Sequence, residues 1–266
     1  MSKIGQAISE IQTLESISRE DRWVNRIHPL SKLILTLLYI TITVSFPKYA
    51  LTGLAGMILY PAAVFVIADL SLKDALRRLR VVLPLVCIMG VLNPFFDREI
   101  VLTIGRVPIS GGVLSMLSLI MKGVLTVLAG YLLIATTSIE KICRAMRVIH
   151  VPKTFVVVIL LIYRYITVLL AEARRITQAY QLRAPGQRGI HYKVWGPLIG
   201  QMLLRSMDRA NDLYESMQLR GFDGEFRTGA EEPLKAADFL WPLIWGAIII
   251  LLRIFPVAEL VGRLFV

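Results

Sequence analysis

Residues 154–170 read TFVVVILLIYRYITVLL, a run that is long and apolar enough to suggest a crossing of a lipid bilayer. Whether it crosses decides the topology of the whole chain, because it fixes the side on which everything after it lies. Arg164 stands in its middle, and a guanidinium facing lipid is costly. Past Leu170 the character changes: residues 171–238 hold ten Lys or Arg and nine Asp or Glu.

Outward from this run the chain is hydrophobic. Of its 266 residues 56% are apolar, with positive mean hydropathy, and these cluster in long stretches. That is the composition of an integral membrane protein. The opening MSKIGQAISEIQTLESISRED is polar with scattered Ile and Leu, which predicts a weak interfacial helix rather than a cleaved signal. Residues 30–46 predict a first span whose Lys32 can snorkel to the interface. Pro47-Lys48 marks a turn, and residues 49–68 return. SLKDALRRLR at 71–80 reads as a basic connection, followed by an apolar run over 81–96 ending in Asn93-Pro94. A loop with Gly105, Pro108 and Gly111-Gly112 leads to a span over 113–137, and a last span covers 239–255.

Charge decides the parity. With the N-terminus cytoplasmic and 154–170 not crossing, 24 of the 30 Lys and Arg lie inside. Lys48, Arg98, Arg106, Arg253 and Arg263 lie outside, and Lys122 falls within a span. A crossing at 154–170 would move ten of those inside charges out, against the positive-inside rule, with Arg174, Arg175, Arg183 and Arg188 close enough to count. The expectation is therefore an all-α integral membrane protein of about five transmembrane helices plus a cytoplasmic module. Residues 1–137 form the N-terminal spans, 138–238 the cytoplasmic or interfacial module, and 239–266 the C-terminal span. Six spans are the alternative. The charge of +11 follows the membrane rather than nucleic acid, because the basic residues flank apolar runs.

Within the module a box occurs twice: Ala173-x7-Gln181-Leu182-Arg183-Ala184 and Ala210-x7-Gln218-Leu219-Arg220-Gly221. Apolar positions at spacings of three and four predict two amphipathic helices, one with Leu169, Ala173, Ile176 and Tyr180 on a buried face. The other buries Leu203, Met207, Ala210, Tyr214 and Met217. The first helix must end near Ala184, ahead of Pro185, and the second at Gly221 with Phe222 following. Arginine in a last turn is favoured by the helix dipole, which suffices to explain either arginine alone. Capping does not require the matched Gln-Leu before it, and a guanidinium fork can engage carboxylates and carbonyls of a partner. Two matched forks suggest a partner with two matched grooves, as a dimer has.

At these residues the chain resembles the transmembrane T component of energy-coupling factor (ECF) transporters, a family marked by two short Ala-Arg-Gly-like boxes on cytoplasmic coupling helices. Leu182-Arg183-Ala184 and Leu219-Arg220-Gly221 depart from that pattern in the leading leucine of both and the closing alanine of the first. Arg26-Ile27-His28-Pro29-Leu30-Ser31-Lys32 resembles the start of the family's first span, and the run from Arg205 to Gly224 is similar to the cobalt branch, CbiQ, with the nickel branch close by. The resemblance implies a non-catalytic coupling subunit of a multi-subunit importer for cobalt, with nickel or a vitamin as the alternative cargo. Two ATP-binding ATPase subunits would take Arg183 and Arg220, with Leu182, Ala184, Leu219 and Gly221 in the contact, and a separate membrane subunit would capture substrate.

The residues themselves carry no GxxxxGK[ST] sequence, so ATP is expected on partner subunits, with no catalytic residue and no cofactor in this chain. His28, His150 and His191 are isolated, and Cys87 and Cys143 have no metal-ligand spacing, so no metal site is expected. Glu172 and Glu215 are expected to pair with Arg174, Arg175 or Arg209. A stand-alone permease or channel is the rival reading, resting on Lys122 and Arg164. A membrane enzyme would need clustered His, Asp or Ser, and residues 138–153 offer only His150 among scattered bases.

Overall fold

The computed structural model describes residues 3–20, 22–97, 100–104, 107–187, 189–226 and 236–255. Arg98, Gly105, Arg106, Arg188 and Arg263 lie outside them, as do Arg227 and Lys235 among the ten basic residues of 171–238. The elements run α1 (Lys3–Arg19), α2 (Trp23–Arg26), α3 (Pro29–Val44), α4 (Leu51–Met57), α5 (Leu59–Ile67), α6 (Leu72–Phe96), β1 (Ile100–Ile104), β2 (Val107–Ser110), α7 (Gly111–Thr136), α8 (Ile139–Val148), α9 (Lys153–Arg183), α10 (Tyr192–Leu219) and α11 (Ala236–Ile254). The fold is helical apart from an antiparallel β1–β2 hairpin, in register from Leu102 opposite Ile109 to Ile104 opposite Val107, where a loop was expected. Among the described residues two helices, α7 and α9, are long and apolar enough to cross a membrane by length and composition; α3 and the α4–α5 pair are shorter apolar helices.

The chain divides into two compact units, one holding α1 as far as Ile17 with α8, α9 and α10, the other holding α2 to α7 and α11. In the latter α7 is central and packs on α3, α4, α5 and α6, while α11 packs on α3 and α4. Its core comprises Leu35, Tyr39, Leu54, Met57, Leu125, Ala129, Leu132 and Ile249, all at most 2% exposed. Pro29 suits the first turn of α3, where no amide partner is lost. His28 Nδ1 accepts from the Leu30 amide at 3.2 Å to cap that turn.

Two expectations are corrected here. Residues 71–80 are not a connection: they form the first turns of α6, continuous with the apolar run. Leu, Ala, Lys and Arg are good helix formers, so basic residues mark a change of environment without a break. Lys32 does not snorkel outward. It is 5% exposed and donates to the Thr136 carbonyl at 2.9 Å, near the end of α7. The run at 49–68 holds α4 and α5, which join at Ile58 with that residue still helical in its backbone.

The antiparallel α6–α7 pair is held close by small residues. A Cβ on Gly112 would lie 2.5 Å from Pro94 Cα and 2.6 Å from the Asp97 carbonyl, so only glycine fits this crossing. Asn93 Nδ2 donates to Ser115 Oγ at 3.1 Å across it. Beyond this corner Lys48 and Tyr49 both donate to Asp97 Oδ2, at 2.8 and 2.6 Å. Asp97, then Tyr49, push the Lys48 ammonium above its ordinary range by hydrogen bonding to its charged form.

Lys122 is accounted for by the end of α3. Its ammonium donates to the Val44 and Phe46 carbonyls at 3.1 and 2.5 Å, and Arg253 donates to the Ser45 carbonyl at 3.3 Å. Last-turn carbonyls lack helix partners and carry negative partial charge, so two cations from α7 and α11 stabilise them.

Candidate functional site

Both boxes fall at helix C-termini, and each terminus is built by local chain chemistry. Helix α9 runs unbroken from Lys153 to Arg183, so the apolar run and the first amphipathic helix are one element. It stops at Ala184, whose amide bonds the Tyr180 carbonyl at 3.0 Å, and Pro185-Gly186 turns the chain, with Gly186 at φ +91 and the Gln187 amide on the Ala184 carbonyl. Helix α10 ends at Leu219 with Arg220 as its cap. Gly221 takes φ +77, its amide bonds the Gln218 carbonyl at 2.9 Å, and the Phe222 amide bonds the Met217 carbonyl at 3.0 Å. That pair of bonds is a Schellman motif, which needs a residue comfortable at positive φ in the position Gly221 occupies.

Arg183 and Arg220 are both exposed. So is the leucine before each, Leu182 at 83% and Leu219 at 90%. A large apolar side chain held that far into solvent at two matched positions contributes nothing to this chain's own packing. Ala184 is half-buried and Gly221 exposed.

The structure separates the two boxes within one helical hairpin. Glu172 of α9 accepts from Arg205 of α10 and lies 3.7 Å from Arg175. Tyr180 Oη donates to Gln187 Oε1 at 2.7 Å, and the His191 amide points to Tyr180 Oη at 3.5 Å, so α10 starts beside the end of α9. At the other end Glu225, five residues past Arg220, accepts from Lys153 at 2.5 Å and from Arg147. The helices are therefore antiparallel, with Arg183 at the turn and Arg220 back near the start of α9. With 28 residues in α10 and a rise of 1.5 Å per residue, the boxes stand about 40 Å apart.

Between the helices runs a groove of about 720 Å³ lined by Leu169, Ile176, Tyr180 and Arg183 on one side and Val194, Leu198, Met202 and Arg205 on the other. On α9 Leu169, Ile176 and Tyr180 of the expected face line it, half-buried rather than buried, and Ala173 does not. On α10 the expected face does not line it: Leu203, Met207 and Tyr214 are 54–58% exposed, Ala210 is exposed, and no α10 residue is buried. The Glu172–Arg205 pair and the polar groove turn a different face of α10 toward α9.

Other singled-out residues have local roles. His191 Nδ1 accepts from the Lys193 amide at 3.3 Å, capping α10, and His150 sits at φ 63 in the turn between α8 and α9. Cys143 is 1% exposed, and burial, then Glu140, push its thiol pKa up. Arg164 is exposed on α9, with no side-chain ion pair or hydrogen bond among the described residues. Sequence reasoning missed Glu225, because its partners Arg147 and Lys153 are 78 and 72 residues away and no local pattern links them.

The chain is 25% identical over 220 residues to the energy-coupling factor transporter transmembrane protein EcfT of Thermosediminibacter oceani, covering 77% of this chain and 82% of that one. It is also 25% identical over 91 residues to the nickel permease LarQ of Lactiplantibacillus plantarum, covering 34% of this chain and 33% of that one. The profile of CbiQ, described as a cobalt transport protein, matches residues 20–230. With its apolar helices and that match over most of its length, the chain belongs to the CbiQ family of cobalt transport proteins, membrane components of transporters.

Proposed function

We propose that this chain is the coupling subunit of an ATP-driven cobalt importer, non-catalytic itself, docked by Arg183 and Arg220 onto two ATPase subunits. The observation that carries the reading is the pair of exposed Leu-Arg helix ends at opposite extremities of one hairpin. Tips about 40 Å apart cannot enter one groove, so they call for two sockets, which a two-fold dimer of ATPases supplies. ATP-driven closure of that dimer changes the distance between sockets, and the hairpin passes the displacement to a separate membrane subunit that holds the ion.

The reading needs both tips on one side of the membrane. Because Arg220 lies near the start of α9 and Arg183 at its end, a perpendicular crossing by 154–170 would put the boxes on opposite sides. A helix lying along the cytoplasmic face keeps them together. The exposed Arg164 and the basic residues from Arg174 onward favour the second arrangement. Five spans result, with the N-terminus inside.

Replacing both arginines with alanine is the test. The double variant R183A/R220A should insert normally, lose co-purifying ATPase subunits in mild detergent and lose ATP-dependent cobalt uptake. Retained ATP-dependent uptake refutes the proposal, and cobalt transport by the purified chain alone in liposomes favours a stand-alone permease. Nickel is the second reading for the cargo, favoured by the likeness to the nickel permease. Competition between the two ions for uptake by the assembled transporter decides it.

A further inference from the structure

The chain leaves the two boxes in different ways. After Arg183 it makes a Pro-Gly turn straight into α10, the Gln187 amide bonding the Ala184 carbonyl at 3.3 Å. After Arg220 it folds back onto its own unit. Gly224 takes φ +88, the Phe222 and Phe226 rings lie 5.1 Å apart, and Phe226 lines a small cavity with Cys143, Val156 and Leu160. Glu225, only 15% exposed, accepts at one oxygen from Arg147, in the last turn of α8, and at the other from Lys153, the first residue of α9. One carboxylate thus bridges the corner where α8 turns into α9, and it does so five residues from the second arginine.

We propose that Glu225 is a positioning residue that transmits displacement of the second box to the α8–α9 corner, so that Arg220 drives the corner directly while Arg183 acts only through the hairpin turn. The inference rests on the reading of the boxes as handles. The α10 cap is made by backbone groups of Met217, Gln218, Gly221 and Phe222, none of which involves Glu225. Arg220 is therefore presented to a socket whether or not the carboxylate is charged. A carboxylate gripped by two cations from two elements resists displacement in a way a neutral amide cannot, since charge-assisted bonds are the stronger kind. Losing that charge should leave docking intact and loosen what docking moves.

The test uses the full transporter in proteoliposomes, with cobalt as the probe, and reads ATPase association, ATP hydrolysis and cobalt taken up per ATP. For E225Q association and hydrolysis should stay within about twofold while cobalt per ATP falls about tenfold, the scale expected for losing a charge-assisted contact. The reversed pair E225R/R147E should recover uptake that E225R alone lacks. Unchanged cobalt per ATP in E225Q overturns the proposal, as does a reversed pair no better than E225R. Loss of ATPase association in E225Q equal to that in R220A also overturns it, because Glu225 would then serve the socket. Full association in R220A itself contradicts the docking reading, a separate failure.

Discussion

Gly221 illustrates how one position can end a helix and aim a guanidinium. Its φ of +77 is forbidden to most side chains, and nothing lies within 4 Å of a Cβ added there. The cost of G221A is therefore backbone strain alone, about 1 kcal/mol, read as a lower thermal midpoint in detergent, and G221N should cost less. Space is not the obstacle at this site. This cap was legible because its groups lie within six residues, in the order Met-Gln-Leu-Arg-Gly-Phe. Lys32 was not legible, since its acceptor, the Thr136 carbonyl, is 104 residues away. The same distance problem hid the partners of Lys122, whose ammonium reaches carbonyls 76 and 78 residues away. Removing that ammonium in K122M should lower the thermal midpoint by several degrees, because buried or lipid-facing carbonyls left unpaired are costly. An unchanged midpoint contradicts that role.

At the scale of elements, helix ends were easier to read than helix joins. Pro185, Gly221 and Pro47 each mark a boundary the structure respects, because each acts on the backbone directly. The join at 80–81 could not be read, since the change from basic to apolar in α6 is a change of solvent and not of backbone geometry. The rotation of α10 was likewise hidden: its apolar spacing is real, but the Glu172–Arg205 pair selects another face. Close crossing makes α6 and α7 sensitive to size. In G112L backbone atoms of Pro94 and Asp97 stand where the side chain must go, so a shift costing about 1–3 kcal/mol is expected. The folded yield by gel filtration should fall accordingly. For α8, burial and the raised thiol pKa keep Cys143 as the unreactive thiol form near neutral pH. Maleimide should label it slowly in folded protein and rapidly after denaturation; rapid labelling without denaturant contradicts the packing of that helix.

For the whole molecule the question returns to the run at 154–170, which the charge distribution keeps on the cytoplasmic side although its length and apolarity would suit a crossing. The structure adds a constraint that the sequence could not contain: Glu225 ties the end of α10 to the start of α9, so the two boxes share a hairpin yet occupy its opposite ends. Membership of a transporter family was legible from the paired boxes and holds over residues 20–230. Single-cysteine variants at Leu182 and Leu219, both far exposed and one in each box, test the arrangement most directly. Both Cys87 and Cys143 are replaced first, and a membrane-impermeant maleimide is applied to right-side-out and inside-out vesicles. Both positions should label only in inside-out vesicles; labelling from opposite sides would contradict a coupling hairpin lying on the cytoplasmic face.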